Sequence, residues 1–567
     1  MPTIKPTRAT VKEIYQGFGG IGNSTQKGRL ACRELQNFRI LADGTLEKRC
    51  GFRKLYGLSG RIRAFWEGVL DGEPLCFALV GNTVYRKNGE FFTQCNYVST
   101  SSGTAEFVSY HETLYLFDGK TVYRFRPSAL IFAVAEGYAP LIGMSWNPTQ
   151  PGEQYEPINL FSKRFRISYS NTVGSTTYRL PYYVESIDSI TADGQRVSDF
   201  VLGSDKRSFT VSRVYSWLEI GATMASEGED AARIKTATHV FSDRINGIER
   251  LFLYGCASGN YLYGTAKIND FMLSSCRAHY PNADPLYIPA DMQLAIGSER
   301  EPLTTLYKNH DRLLGFHAKG GVSIQIGKDT DVIDSYPVLY GYGCNAPLPT
   351  ISVNGQMVIV NRAGIFLLSS KSSDPDEFEL TLISDGIDAF REESFIQNAT
   401  VCHDAAHEEL WVYDRENALT IWVYHLRQKV WYTFTGLSPD IILHHEGNLA
   451  FVRNAAVYEF DESASTDDGR SIFAKLKSDF LFFDVPETAK RSLRVTLLTQ
   501  NASDPINFCL ESERQSKEWE IPKTNGNLPC LFDARASLGR FRILQAEIST
   551  TGNDRPRIFR LALFANS

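Results

Sequence analysis

No two of the ten cysteines lie close enough to form a C-x-x-C pair; they stand at 32, 50, 76, 95, 256, 276, 344, 402, 509 and 530. Most sit inside apolar runs such as Leu75-Cys76-Phe77. Structural zinc needs ligands at short paired spacing, so the pattern argues against a metal site and predicts small buried hydrophobes in a reducing compartment. Long apolar stretches are missing too. The most apolar run, Leu130 to Ala135, stops at Glu136, far short of the ~20 residues that cross a bilayer as helix. The opening Met-Pro-Thr-Ile-Lys-Pro-Thr-Arg has no apolar segment behind it, which predicts no signal peptide and a chain made in a cytoplasm. Positive charge is not in excess: 59 Lys plus Arg face 65 Asp plus Glu, a net −6. Tight binding of nucleic acid through phosphates calls for a basic face, so this balance argues against it.

What is abundant points to strands. Aromatic residues make up 12% of the chain, and 43 Gly stand against 6 Met. Aromatics favour pleated, half-buried surfaces and glycines the tight turns between them. The 43% of hydrophobic and 22% of charged residues are those of a globular chain, not a disordered, collagen-like or coiled-coil one. With 567 residues, two to four domains are expected.

Hairpin signals recur along the chain. Arg61–Glu67, Pro74–Val80, Thr83–Arg86 and Glu90–Thr93 are joined at Leu70-Asp71-Gly72, Gly81-Asn82 and Lys87-Asn88-Gly89. Ala105–Tyr110, Thr113–Phe117 and Thr121–Phe125 follow. The pattern resumes at Arg250–Tyr254 and again at Leu303–Tyr307, Arg312–Phe316 and Val322–Ile326, with Lys319-Gly320-Gly321 as a turn. It is clearest in Ala399–Cys402, Glu409–Tyr413, Leu419–Tyr424 and Val430–Phe434. About seven such units spaced roughly 40 residues apart predict an all-β chain built on a β-propeller.

The expected organisation is an N-terminal segment (1–60) joining the propeller, first blades at 61–142, an inserted β-sandwich at 143–239, the remaining blades at 240–462 and a C-terminal β-sandwich at 470–567. The stretch Asp461–Gly469 reads as an acidic linker, and Ser384–Phe395 as a helix of three turns.

Motifs that carry chemistry are few. Gly17-Phe-Gly19-Gly-Ile-Gly22 fits G-x-G-x-x-G, but Asn23-Ser-Thr-Gln-Lys-Gly28 behind it is not the apolar helix a dinucleotide site requires, so the segment is expected to be a glycine-rich loop. His403 and His407 are four apart, yet lie between two strand-like runs, which predicts a solvated turn instead of a metal pair. His444-His445 is expected to be exposed at a strand end. Asp43-Gly44-Thr45 is only a fragment of the sialidase box and lacks its Trp. No nucleophile elbow, Walker A loop or kinase set occurs. Catalytic, cofactor-binding and metal residues are therefore expected to be none, and the chain not to be an enzyme.

Several stretches together carry a resemblance: Gly17-Phe-Gly-Gly-Ile, Leu35-Gln-Asn37-Phe, Asp43-Gly-Thr-Leu-Glu-Lys48-Arg49-Cys-Gly51-Phe, Arg250-Leu-Phe-Leu-Tyr-Gly255, Tyr287-Ile-Pro289, Leu303-Thr-Thr-Leu-Tyr307, Asp311-Arg-Leu-Leu-Gly-Phe316, Lys475-Leu-Lys-Ser-Asp-Phe480 and Arg540-Phe-Arg-Ile543. The chain resembles the tail hub, nozzle or stabilisation proteins of short-tailed bacteriophages. That resemblance implies a structural virion protein in the tail, assembled in the host cytoplasm as a homo-oligomeric ring, commonly a hexamer. The ring would sit below the portal and adaptor, contact tail fibres or spike, seal the genome and conduct DNA through its lumen without tight binding. The alternative is a glycan-binding or glycan-cleaving β-propeller at the tail tip. A further alternative is a bacterial propeller that binds partner proteins.

Overall fold

The computed structural model describes residues 10–566 apart from 23–27, 269–285, 299, 310–311, 328–329, 349–351, 372–376, 446, 484–486, 501–503 and 525–527. Cys276, Asp311 and most of the segment behind Gly22 thus lie outside the described residues. The protein is all-β. Its contacts divide it into two units, Ile62–Cys344 and Met1–Arg61 with Asn345–Ser567.

The first unit holds four four-stranded antiparallel sheets, each a meander of neighbours in sequence. They are Ile62–Leu70 with Glu73–Val80, Thr83–Asn88 and Phe91–Tyr97; Glu106–Tyr110 to Ile131–Val134; His239–Ile245 to Gln293–Ala295; and Thr305–Asn309 to Ile333–Tyr340. This is the blade unit of a β-propeller. Two-residue turns with both φ positive close several hairpins, as at Asp71-Gly72 (51° and 80°) and Asn246-Gly247 (51° and 78°). That geometry matches strand twist, which is why Asp-Gly and Asn-Gly stand there. The turn expected at Lys319–Gly321 is shorter, because Gly320 already opens the strand Gly320–Ile326.

Between the second and third sheets stands the insertion. A five-stranded sheet (Leu141–Trp146, Arg164–Ser170, Trp217–Met224, Val184–Ala192 and Gln195–Arg196) accompanies a three-stranded one (Thr177–Arg179, Ser208–Val211 and Phe200–Leu202). They share a core in which Tyr178 stacks on Phe209 at 5.1 Å.

The second unit contains three more meanders. One runs Ser352–Val353 to Phe378–Leu382. Another is Ala399–Asp404, Glu409–Asp414, Thr420–His425 and Val430–Thr435. The last joins Ile441–His445, Asn448–Arg453 and Ala456–Asp461 to Gly51–Gly57, so its fourth strand comes from the start of the chain. The C-terminal sandwich completes this unit. One of its sheets holds Phe38–Ile40, Leu46–Lys48, Arg557–Asn566, Ser492–Gln500 and Cys530–Ala536, with Thr10–Tyr15 along Arg557–Asn566. The other runs from Arg29–Gln36 through Ala474–Ser478, Leu544–Thr550 and Ile506–Ser512 to Ser516–Ile521. Val495 and Leu563 from one sheet share a buried core with Phe508 and Ile548 from the other.

The N-terminal segment expected to join the propeller is therefore divided: Gly51–Gly57 completes a blade-type sheet, while the strands before it extend the C-terminal sandwich. The helix expected at Ser384–Phe395 is corrected. Asp388–Arg391 forms one 3-10 turn and Glu393–Asn398 a short helix, separated by extended Glu392 (ψ 131°). Phe390 is pulled into a cluster with Phe395, Trp422 and Trp431, and this packing overrides a continuous helix.

The glycine run is corrected as well. Gly17–Ile21 is a buried strand, parallel to Arg29–Gln36 and touching Trp431 at Ile21. Gly20 has φ +73°, and a Cβ there would lie 2.6 Å from the Trp431 carbonyl oxygen. Gly20→Ala is expected to cost at least about 1–3 kcal/mol from backbone strain, read as an earlier urea midpoint; an unchanged midpoint would refute this reading.

Candidate functional site

The run Lys48-Arg49-Cys50-Gly51 lies where the sandwich, the strand Val430–Thr435 and the strand Gly51–Gly57 converge. Arg49 is fully buried and its guanidinium is saturated. Nε donates to Asn37 Oδ1 (3.0 Å), Nη1 to Cys50 O (3.0 Å) and Nη2 to Thr435 O (3.0 Å). Both Nη atoms also form a fork on Asp467, at 2.8 and 2.6 Å. Asn37, held at φ +53°, accepts from Thr435 N and donates to Phe473 O. Gly51 must be glycine for steric reasons, since a Cβ there would meet Thr466 O at 1.9 Å. Lys48 is buried with its ammonium on Gly552 O, and that burial pushes its pKa down.

A second cluster adjoins this one. Arg39 Nε lies 2.6 Å from Glu409, which is wholly buried and also accepts from Tyr432 OH (2.5 Å) and Trp411 Nε1 (2.9 Å). His407 bridges two carboxylates, with Nδ1 at 2.7 Å from Asp404 and Nε2 at 3.0 Å from Glu462. Arg555 pairs Glu462 (3.1 Å) with Glu47 (2.9 Å). Burial alone would lower the His407 pKa, but the hydrogen bonds to Asp404 and Glu462 prevail and push it up to about 9. Glu462 is held far below the usual carboxylate range by the His407 hydrogen bond, against its burial. Burial would raise Asp404, but hydrogen bonding and charge from His407 pull it down.

Asp404, His407 and Glu409 are close enough to hold one ion, their ligand atoms lying within 4.8 Å of one another. The chemistry does not fit a metal. Both ring nitrogens of His407 are already engaged, Nδ1 by Asp404 and Nε2 by Glu462, which leaves neither free for an ion. A metal ligand must be neutral imidazole. Arg39 already neutralises Glu409 and would repel a cation. The cluster is an ion-pair clasp. It ties the turn Asp404–Glu409 and the strand Phe38–Ile40 to the segment after Asp461.

Four expectations change here. His407 is not a solvated turn residue but the centre of the clasp, while His403 takes no part in it; the tight turn closed by Asp404 onto Ala406 N (3.1 Å) separates them. Only His444 of the pair His444-His445 is exposed; His445 is buried and packs edge-on against Tyr56 at 5.9 Å. The segment Asp461–Gly469 is no mere linker, since Glu462 and Asp467 complete the two clusters and Thr466–Asp467 pairs with Arg470–Ser471. Asp43 forms a local turn to Thr45 N (3.0 Å) and pairs with Arg557. The nine described cysteines are free; Cys530 departs from the buried expectation because its strand Cys530–Ala536 is an exposed sheet edge.

Arg39, Arg49, Glu409 and Glu462 went unmarked by sequence reasoning. The ion pairs from Arg39 to Glu409 and Glu462 and from Arg49 to Asp467 span 370 to 423 positions, so no local spacing marks them.

No family model and no curated protein matches the chain. Solved structures resemble it only distantly. An extracellular domain from B. thetaiotaomicron is 8% identical, with a TM-score of 0.37 over 93% of this chain and 64% of that one. Sqt1 of Saccharomyces cerevisiae is 9% identical, with a TM-score of 0.30 over 73% of this chain and 99% of that one. An exo-beta-1,3-galactanase of Phanerochaete chrysosporium is 7% identical, with a TM-score of 0.19 over 94% and 99%. None of these likenesses assigns a function.

One further feature concerns surfaces. Outer strands of the meanders carry large exposed apolar side chains: Phe91 (75% exposed) and Tyr97, Ile131 and Val134, Tyr340 (77% exposed), and Leu382. Two of these strands are protected against open-ended pairing, one by a bulge between Gln94 and Asn96 and one by Pro337 with a register shift. No helix among the described residues is long and apolar enough to cross a membrane.

Proposed function

We propose that this is a structural virion protein of a tailed phage, which assembles as a ring in the tail and conducts DNA during ejection. The observation that carries this reading is the set of exposed aromatic and aliphatic side chains on outer strands, two of which have backbones guarded against strand addition. Such a surface suits side-chain packing against a neighbouring subunit, the heterologous contact that closes a ring. The reading is supported by the resemblance of the Lys48-Arg49-x-Gly51 run and by the use of the buried charges. They are spent on ion pairs that fasten strands, the requirement of a load-bearing shell and not of an active site. The net charge of −6 suits a conduit that must release its DNA.

Native mass spectrometry of the full chain, with negative-stain imaging, tests this. A closed ring of about six copies is expected, and Phe91→Glu with Tyr340→Glu is expected to shift it to monomer while leaving the unfolding midpoint unchanged. Because some rings close only on a template, a monomer is re-measured with the phage's adaptor protein; a chain that stays monomeric there refutes the ring.

A further inference from the structure

A cleft of about 400 Å³ lies in the second unit, beneath the glycine strand, between the meanders Ser352–Leu382 and Ala399–Thr435. Its volume falls within the range of small-molecule pockets, roughly 300–1000 Å³. Apolar surface comes from Leu382, Ile383 and Trp431, whose indole Nε1 is already committed to Ile383 O at 2.5 Å. Polar groups around it are Asn354, Gln356, Thr381, Asp385, Tyr424 and Lys429.

Two of these groups carry the argument, Tyr424 by its burial and Lys429 by its charge. Tyr424 is 5% exposed, packs on Trp431 with ring centroids 5.0 Å apart, and its hydroxyl makes no hydrogen bond to any described residue. That hydroxyl is not sealed from solvent, so it is open to the cleft and available to a ligand. Burial also pushes its pKa up to about 12, so it is a neutral donor and acceptor across the physiological range. Lys429 projects from the turn between Thr420–His425 and Val430–Thr435 at φ +55° and has no ion pair among the described residues, whereas Lys475 and Arg555 are each paired with carboxylates. Lys429 is an exposed residue, so its ammonium stands at the open side of the cleft.

We infer that the cleft binds one saccharide unit bearing a carboxylate, of the uronic acid class. Lys429 would take the carboxylate, the Tyr424 hydroxyl a ring hydroxyl, and the Gln356 amide and Thr381 hydroxyl the remaining hydroxyls. Each of these side chains can both donate and accept except the ammonium, which can only donate and so selects an anion. A volume of this size holds a monosaccharide unit, not a helix. Acidic polysaccharide at a cell surface is the chemical source of such a unit. This inference goes beyond the ring reading and does not depend on it, since subunit stoichiometry and sugar binding are read separately.

The test is saturation-transfer NMR with isothermal titration on the full-length chain, using sodium D-glucuronate, sodium D-galacturonate, methyl glucoside and tetra-alanine as probes. At least one uronate is expected to bind at millimolar concentration, about tenfold tighter than methyl glucoside. Lys429→Gln is expected to bring that uronate down to the level of the neutral sugar. Tyr424→Phe, which keeps the ring, is expected to weaken both by about tenfold without moving the unfolding midpoint. Absence of saturation transfer to either uronate would overturn the inference. So would uronate binding that survives both substitutions, and so would stronger transfer to tetra-alanine, which would mark the cleft as a seat for peptide.

Discussion

Arg49→Met is expected to lower the stability of the second unit by about 3–5 kcal/mol, the cost of leaving a buried ionic partner uncompensated. The substitution takes a donor from Asp467, from the carbonyls of Cys50 and Thr435 and from Asn37 Oδ1 at once, the last keeping only Thr435 N, because a single guanidinium serves all four. Arg49→Lys is expected to recover little of this. An ammonium cannot reproduce the planar fork on Asp467 while also reaching Asn37 and Thr435. Urea unfolding followed by tryptophan fluorescence reads this directly, since Trp411, Trp422, Trp431 and Trp519 all lie in this unit. A wild-type midpoint for Arg49→Met would show that Asp467 and Asn37 find other partners. Gly51→Ala provides the steric counterpart. It should destabilise the same joint with every charge kept, because its Cβ would overlap Thr466 O.

These two positions show why a short sequence box can persist in meaning without any catalysis. Leu46 and Lys48 point into the sandwich, Arg49 staples four separate segments, and Gly51 lets the backbone after Asp461 pass close by. The strands themselves were readable, because alternation and Asp-Gly or Asn-Gly turns are local signals. The all-β class and the hairpin positions followed from them. Three things were not readable. The glycine strand was hidden because its partners Arg29–Gln36 and Trp431 are supplied from elsewhere, and glycine alone signals a loop. The dual membership of the N-terminal sixty residues was hidden because strand pairing over more than 400 positions leaves no periodicity. The clasp was hidden for the same reason. His407 stood out by its spacing to His403, but its true partner Glu462 lies in a stretch whose acidity reads as a solvated linker.

The clasp makes stability depend on pH in a definite direction. His407 ordinarily titrates near 6.5 and in the folded chain near 9, so the folded state holds its proton more tightly. Its contribution is therefore complete below about pH 6.5 and is lost as pH rises through about 9. Asp404 and Glu462 run the other way. Their pKa values lie below the ordinary 3.8 and 4.5, so their contribution is present above about pH 4.5 and is lost on acidification. The clasp is thus strongest between about pH 4.5 and 6.5. His403 and His425, whose burial lowers their pKa, destabilise the fold below about pH 6.5 and so distort the acid side of the wild-type curve. The difference between wild type and His407→Gln removes that background. It is expected to be largest between about pH 4.5 and 6.5, a shift of several degrees in the melting temperature, and to shrink steadily between pH 6.5 and 9. Acid loss should also be shallower in the variant, because Glu462 without the His407 hydrogen bond has a folded pKa closer to its ordinary value. Melting curves at a series of pH values decide the matter, and a wild-type-minus-variant difference that stays constant from pH 6 to pH 10 would mean that His407 is neutral in the clasp and acts only by packing.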